Sequence, residues 1–264
     1  MNNTEMSLSE SQKPTQLSGS TLSLVIPGIG ADDLFSEQHL RGNFRDYYSF
    51  HSVESRLSLI PNGLFLSLFA SLGSPDVFSI LDCGCNDGSL SMAVFERAKE
   101  ELPSNIVVKL VGVDIDNVLI NRAKEQFSST TTNVEFKCFD FMVEQEDEID
   151  MKSKFSFVCC FSSTMWIHLH YGDEGLNKFL RKLSSMTHGA ILLEPQNWDS
   201  YKTARKRIRK QKLLSPEYLG KLAIKDCSEH IRNMNLGSSE HFCHLGVESW
   251  KGRHLIYITL LRNV

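Results

Sequence analysis

The chain reads as an α/β protein built on one doubly wound, mostly parallel sheet of seven strands, with helices on both faces. Three observations predict this. Short apolar runs alternate with amphipathic stretches of helical period along most of the 264 residues, the signature of strands joined by crossover helices. The first run, Phe78-Ser79-Ile80-Leu81-Asp82-Cys83, breaks into the turn Gly84-Cys85-Asn86-Asp87-Gly88 and passes directly into Ser89-Leu90-Ser91-Met92-Ala93-Val94-Phe95. That is strand, tight turn, helix. The next run, Leu110-Val111-Gly112-Val113, ends on Asp114 and Asp116.

Taken in order, residues 1–21 are rich in Ser, Thr, Asn and Gln and lack aromatics, the composition of a disordered tail. Residues 22–264 are expected to form a single domain, with 22–72 an N-terminal lid or cap and 78–264 the core. The segment Gly42 to His51 is dense in aromatic and hydrogen-bonding side chains. Before any strand, it reads as a lid or collar over the sheet edge or as a cap packed on the sheet. A helical stretch begins near Arg56, is interrupted at Pro61 and resumes to Leu72. Strands are predicted at Phe78–Cys83, Val107–Asp114, Val134–Phe139, Phe155–Phe161, Ala190–Glu194, His241–Leu245 and Leu255–Leu261. Helices are predicted at Ser89–Glu101, Asn117–Phe127, Asp173–Met186 and Tyr201–Lys212. No helical pattern separates the last two strands, which suits an antiparallel edge pair.

Composition narrows the classes. A hydrophobic share of 41% and a charged share of 23% are those of an ordinary globular protein. No apolar run approaches the roughly 20 residues of a membrane helix, so no membrane role is expected. A net charge of −4 argues against indiscriminate nucleic-acid binding but leaves room for a local basic face. The seven cysteines are odd in number and contain no Cys-x-x-Cys pair. Neither a disulfide framework nor a metal site is expected, and buried reduced thiols point to a reducing compartment, cytoplasm or nucleus.

The glycine turn carries the chemistry. Gly84 and Gly88 let a ligand approach the backbone, and Asn86 tolerates a left-handed conformation. The following helix aims free N–H groups at the turn. Asp114 is placed to accept hydrogen bonds from both hydroxyls of a ribose. A dinucleotide site requires Gly-x-Gly-x-x-Gly for a pyrophosphate. Here Asp82 stands at the strand end, where it would repel a pyrophosphate but suits an ammonium group. S-adenosylmethionine, with its amino-acid tail and sulfonium, is the cofactor this pattern fits; a plain strand–turn–helix of an α/β core is the other reading.

Further candidates lie at later strand ends. Asp140 and Phe141 follow the third strand and could clamp an adenine, or form only a turn. After the fourth strand come Phe161 and the run Met165-Trp166-Ile167-His168, where His168 is a proton shuttle, a phosphate ligand or a structural histidine. Glu194-Pro195-Gln196-Asn197-Trp198 follows the fifth. Beyond it, Lys202, Arg205, Lys206, Arg207, Arg209, Lys210 and Lys212 put seven cations in eleven residues. They are expected to occupy most of the helix circumference, pointing to a polyanionic partner rather than to a solvated surface helix.

Several of these motifs together resemble one family. They are Gly42-Asn43-Phe44 with Tyr47-Tyr48, Leu81-Asp82-Cys83-Gly84-Cys85-Asn86, Val113-Asp114-Ile115-Asp116, Met165-Trp166-Ile167-His168-Leu169 with Gly172-Asp173-Glu174-Gly175, and Leu193-Glu194-Pro195-Gln196 with Trp198 and Tyr201. The set closely resembles the bicoid-interacting-protein-three family of RNA 5′-phosphate methyltransferases over about Arg41 to Lys212. Within the family it is most similar to the branch acting on 5′-monophosphate ends of histidine tRNA and precursor microRNA.

The resemblance implies a class I S-adenosylmethionine-dependent methyltransferase of Rossmann-like fold, cytoplasmic, monomeric, and acting on a small RNA without a metal. It implies that Arg56 and Asn86 hold the amino-acid tail and the turn, alongside Asp82 and Gly84, which the turn itself marks as cofactor-binding. Asp114 would take the ribose, Asp140 and Phe141 the adenine, and Phe161 the region beside the methionine. Tyr47 and His168 would position the acceptor, with His51, Glu194, Gln196, Trp198, Lys202 and Arg205 completing the acceptor side. The chain departs from the family pattern at Phe44, where capping relatives have Tyr, at His51, where they have Arg, and at His170, where Asn is usual. Three other activities stay open: a 5′-triphosphate capping methyltransferase, a small-molecule O-methyltransferase, and an RNA-binding protein that keeps the fold without catalysis.

Overall fold

Why β1 and β4 end up side by side follows from their burial. Every residue of β4 (Phe155–Phe161) is buried, and so are the last four of β1 (Val77–Cys83), as strands covered on both faces must be. In the computed structural model, residues 42, 44–127, 131–143, 154–213, 215–234, 236, 242–249 and 253–260 are described. The tail expected at 1–21, residues 22–41 of the expected cap, and His241 at the start of one expected strand lie outside them.

The elements run α1 (Tyr47–Phe50), α2 (Val53–Leu57), α3 (Leu64–Ser71), β1, α4 (Ser89–Glu101), β2 (Val107–Asp114), α5 (Asn117–Phe127), β3 (Val134–Cys138), β4, α6 (Thr164–Ser185), β5 (Thr187–Glu194), α7 (Trp198–Lys210), α8 (Cys227–Asn233), β6 (Phe242–Ser249) and β7 (Arg253–Thr259). The sheet order is β3-β2-β1-β4-β5-β7-β6. Strands β1 to β5 pair in parallel, and β7 runs antiparallel to both β5 and β6. The chain therefore winds outward from β1 to β3, then returns to lay β4 against β1. That reversal opens a crevice at the carboxyl ends of β1 and β4.

Alternation along the strands sends neighbouring side chains to opposite faces. Ile80 packs with Phe65, Phe78, Phe157, Leu90 and Phe95 under α3, α4 and α5. Leu81 packs with Val113, Val158, Leu169, Phe179 and Leu193 under α6, α7 and α8. Phe65 meets Phe157 edge to face with ring centroids 5.3 Å apart. Cys83, Cys85, Cys159, Cys160 and Cys227 are buried and unbridged, and burial pushes their thiols up. Among the described residues no helix is long and apolar enough to cross a membrane, and no His, Cys, Asp and Glu cluster could hold a metal ion.

Besides the short helix α1 and shifts of a few residues at element ends, two differences from the expected pattern bear on the site. The helix expected from Asp173 begins at Thr164, and Gly172 (φ 71°, ψ −172°) breaks it in the middle. A Cβ at Gly172 would stand 2.7 Å from the Tyr218 ring, so the break lets the chain after α7 pack into the helix. The second difference is α8, which the sequence reading lacks. Its signal is Asp226-x-x-Glu229: the Asp226 carboxylate accepts from the Glu229 N–H at 2.8 Å, capping the first turn.

Candidate active site

The crevice holds a cavity of about 350 Å³, the size of a small-molecule site. One side is made by strand ends: Gly84 and Asn86 after β1, Asp114 at the end of β2, Phe139, Asp140 and Phe141 after β3, and Phe161 at the end of β4 with Ser162 and Ser163 after it. The other is made by Gly42, Tyr47, Tyr48 and Arg56 of the N-terminal segment and by Trp166, Ile167, His170 and Tyr171 of α6. Those four residues fall at i, i+1, i+4 and i+5, one stripe of a helix.

The turn is tightly specified. Gly84 has φ 82°, and a Cβ there would lie 2.1 Å from Ser163 Oγ, so the turns after β1 and β4 touch across the switch point. Asn86 is left-handed at φ 55°. Its side-chain nitrogen donates to the Phe44 carbonyl at 3.1 Å, tying the N-terminal segment to the turn. Arg122 on α5 donates to the Arg45 carbonyl at 3.0 Å and holds the same segment from the other side.

Asp114 is nearly buried. Its Oδ2 accepts from Asn86 N and its Oδ1 from Asp116 N, both at 2.9 Å. Burial pushes its carboxyl up to about 6, opposed by these two bonds, so at neutral pH it is mostly ionised. Each oxygen keeps acceptor capacity for a further donor. Asp140 accepts from Met142 N through Oδ1 at 2.8 Å. Phe141 stands edge-on to Phe139 and Phe179 at 5.1 and 5.7 Å, forming an aromatic wall.

Arg56 organises the other end. Its guanidinium is buried and bonds Ser162 Oγ at 3.0 Å, pairs with Glu194 at 3.2 Å, and donates to Tyr47 Oη. Ser162 Oγ in turn donates to Glu194 at 2.5 Å. Burial alone would push Arg56 down; Glu194, Tyr47 and Tyr48 outweigh it and hold the group charged. Because Tyr47 Oη already accepts from Arg56, its own O–H proton is left to donate into the cavity.

Several candidates belong elsewhere. His168, expected beside the acceptor, is wholly buried and absent from the cavity lining. Its Nδ1 meets Tyr201 Oη at 2.9 Å and its Nε2 meets Asp173 Oδ1 at 2.7 Å. Burial pushes the imidazole down against the opposing pull of Asp173. With both nitrogens engaged it shuttles no proton to the cavity; once α6 starts at Thr164, helical period puts Trp166 and His170 on the cavity face and His168 on the core face.

Asp82, expected against the ammonium, is buried behind the lining. Its Oδ2 accepts from Ser91 at 2.5 Å, and burial pushes its carboxyl up to about 6. Its Oδ1 has no partner among the described residues. Glu194 and Gln196 are likewise buried off the wall. Glu194 acts through Arg56, and Gln196 Oε1 accepts from Thr164 and Met165 N at 3.1 and 3.0 Å, pinning the start of α6.

Trp198 stacks on Tyr201 at 4.8 Å beneath the Lys225 ammonium, and His51 packs 4.4 Å from the Tyr47 ring; neither lines the cavity. Lys202 and Arg205 are exposed on α7. The cations of α7 do not occupy most of its circumference: Tyr201, Ala204 and Ile208 form a buried face, and the helix is one-sided. Tyr48, Ser162, His170 and Tyr171 line the cavity without having been singled out as ligands.

Similarity to known proteins bears on the same residues. The family pattern described as Bicoid-interacting protein 3 (Bin3) matches residues 155–249, and that described as a methyltransferase domain matches residues 80–188. The chain is 34% identical over 238 residues to the RNA 5′-monophosphate methyltransferase of Homo sapiens, covering 82% of this chain and 79% of that one. The chain belongs to the Bin3 family. A Bin3 relative from Xenopus laevis, a pre-miRNA 5′-monophosphate methyltransferase, is 33% identical across 82% of this chain and 91% of its own. A more distant one, the U6 snRNA methylphosphate capping enzyme Amus of Drosophila melanogaster, is 30% identical across 64% and 57%. Among solved structures, the bifunctional kinase–methyltransferase WbdD superposes with a TM-score of 0.52 at 18% identity, over 83% of this chain and 42% of that one, a likeness of fold. The fold is the Rossmann-like class I methyltransferase fold, and the methyl donor of this Bin3 protein is S-adenosylmethionine. The cavity suits that donor: a carboxylate at Asp114 held by two backbone amides, and an aromatic wall with Asp140 beside it.

Proposed function

We propose that this protein methylates the 5′-terminal monophosphate of a small RNA. The observation that carries the reading is the identity to 5′-monophosphate methyltransferases across most of both chains, spanning the elements that build the cavity. Bound S-adenosylmethionine supplies an electrophilic methyl carbon on a sulfonium. Asp114 takes the ribose hydroxyls, Asp140 and Phe141 the adenine, and Asn86 with Gly84 the turn beside the amino-acid tail. The N-terminal segment, tied down by Asn86 and Arg122, closes over the cavity as a lid.

A terminal phosphate has its second pKa near 6, so at neutral pH it arrives mostly as a dianion, roughly −1.5 to −2 in charge. Its oxygen needs no general base, and the protein's task is alignment, which supplies several kcal/mol of a barrier. Tyr47 donates its O–H to the phosphate, held in place by Arg56. The Arg56 charge is shared with Glu194, so it does not drain the attacking oxygen. His170 and Tyr171 border the acceptor on the α6 side, and exposed cations of α7, Lys202 and Arg205 among them, meet the RNA backbone further on. Precursor microRNA and histidine tRNA are the substrate classes, and the protein acts as a cytoplasmic monomer.

Incubation with radiolabelled donor and RNA bearing a 5′-monophosphate, a 5′-triphosphate or a 5′-hydroxyl tests this. The monophosphate is labelled preferentially and the hydroxyl not at all. Preference for the triphosphate supports the capping reading instead, and equal labelling of phosphate and hydroxyl ends contradicts both.

A further inference from the structure

Among the cations of α7, Arg207 is set apart. Lys202, Arg205, Lys206, Arg209 and Lys210 are exposed, whereas Arg207 is half-buried. Its guanidinium carbon lies 4.7 Å from the Phe44 ring centroid and 5.6 Å from that of Trp166. Its Nε is buried with no hydrogen-bond partner among the described residues.

A guanidinium carries five N–H donors and no acceptor. Ring faces compensate part of its charge but satisfy few of those donors, and burying a cation without an anion is costly. Arg56, the other sequestered guanidinium at this site, has Glu194, Ser162 and Tyr47. Burial pushes Arg207 down, and no group among the described residues opposes it. Such a group is set for an anion that none of the described residues supplies.

Position says which anion. Trp166 and Gly42 line the cavity, and a Cβ on Gly42 would lie 1.8 Å from the Trp166 ring, so these residues form one continuous piece of wall. Arg207 is packed against Trp166 and Phe44 but is not itself a lining residue. It stands one side chain outside the reaction cavity, on the basic helix. There it cannot sit on the attacking oxygen, whose nucleophilicity it would blunt.

We propose that Arg207 binds the first internucleotide phosphate of the acceptor RNA, so that two successive phosphates are held, the reacting one inside the cavity and the next one outside its Trp166 wall. An arginine stacked on aromatic rings presents its fork in a fixed plane, the geometry that phosphate oxygens accept. The second contact would separate a polynucleotide end from free nucleotides and other phosphate monoesters. This inference rests on the RNA 5′-monophosphate reading.

The test is a double-substitution cycle between protein and RNA. Wild type and R207Q are assayed on a 5′-monophosphorylated RNA whose first linkage is either a phosphodiester or an uncharged methylphosphonate. Losing one charge-assisted contact corresponds to about 10-fold or more in kcat/KM. R207Q on the native RNA and wild type on the neutral linkage are each expected to lose about that much, through KM, with donor affinity unchanged. Combining the two changes adds no further loss. Losses that multiply, or a neutral linkage that wild type tolerates, overturn the assignment. If R207Q does not fold, the wild-type arm decides alone. Wild type inactive on every 5′-phosphorylated RNA would instead overturn the parent reading.

Discussion

Asp114 is held between two opposing influences. Burial raises its carboxyl to about 6, while the amides of Asn86 and Asp116 lower it. The form that accepts hydrogen bonds from a ribose is the carboxylate, so protonation competes with the donor. The sign follows: affinity for S-adenosylmethionine is flat above neutrality and weakens as pH falls through about 6, approaching roughly 10-fold per unit below it. Calorimetry between pH 8 and 5 measures this. Asp82 also titrates near 6, and Asp114→Asn separates the two, since the pH dependence disappears if Asp114 causes it. A flat wild-type profile contradicts the assigned role.

Asp114, Asn86, Asp140 and Phe161 were legible in the sequence because each closes a strand or its turn, and the carboxyl edge of a parallel sheet is where ligands sit. Glu194, Gln196 and Asp82 were legible as residues near the site but not as buried struts, whereas the structural reading of His168 was already one of its three. Which face of a helix turns inward, and whether a strand-end acid points at a ligand or at a serine such as Ser91, is decided by packing from distant parts of the chain. His170 was noted only as a departure from a pattern, although its spacing from Trp166 already matched one helical turn.

At the scale of elements, α6 couples the cavity to the basic helix. Its cavity face carries Trp166, His170 and Tyr171. Its core face carries His168, which joins Tyr201 of α7 and, through Asp173, the amides of Ala223 and Ile224. Gly172 lies between these contacts in a conformation open to glycine alone. Gly172→Ala adds backbone strain and a clash with Tyr218, and is expected to cost about 2–3 kcal/mol of stability and to raise KM for RNA more than for the donor. Thermal melts with steady-state kinetics check this; a variant as stable as wild type would show that the break carries no strain. The break also explains why the sequence reading began this helix too late. Gly172, just before Asp173, looks like a stop, and only Tyr218, far along the chain, shows why a glycine is needed there. The basic helix was misread for a related reason: counting charges ignored Tyr201, Ala204 and Ile208, which are spaced to bury one face.

At the scale of the molecule, the strand order does most of the placing. Because β4 returns beside β1, the glycine turn, Asp114, Asp140 and the start of α6 meet at one crevice although they are spread over about eighty residues of chain, a convergence that crossover topology makes routine. The alternating pattern was enough to read the parallel sheet and its antiparallel edge. The N-terminal segment was readable as a lid, collar or cap, but not how it is anchored, which depends on single bonds from Asn86 and Arg122 to backbone carbonyls. Charge is also arranged unevenly: in a chain of net charge −4, α7 gathers the exposed cations Lys202, Arg205, Lys206, Arg209 and Lys210. On the proposed reading, a dianionic acceptor that needs no base, with Tyr47 as its donor and Arg56 balanced by Glu194, leads to one chemical product. Mass spectrometry of the 5′-terminal nucleotide, released from a 5′-monophosphorylated RNA after reaction, reads that product directly. The nucleotide is expected to gain methyl mass on its phosphate, with base and ribose unmodified; methyl on the base or ribose, or no gain, would contradict the account.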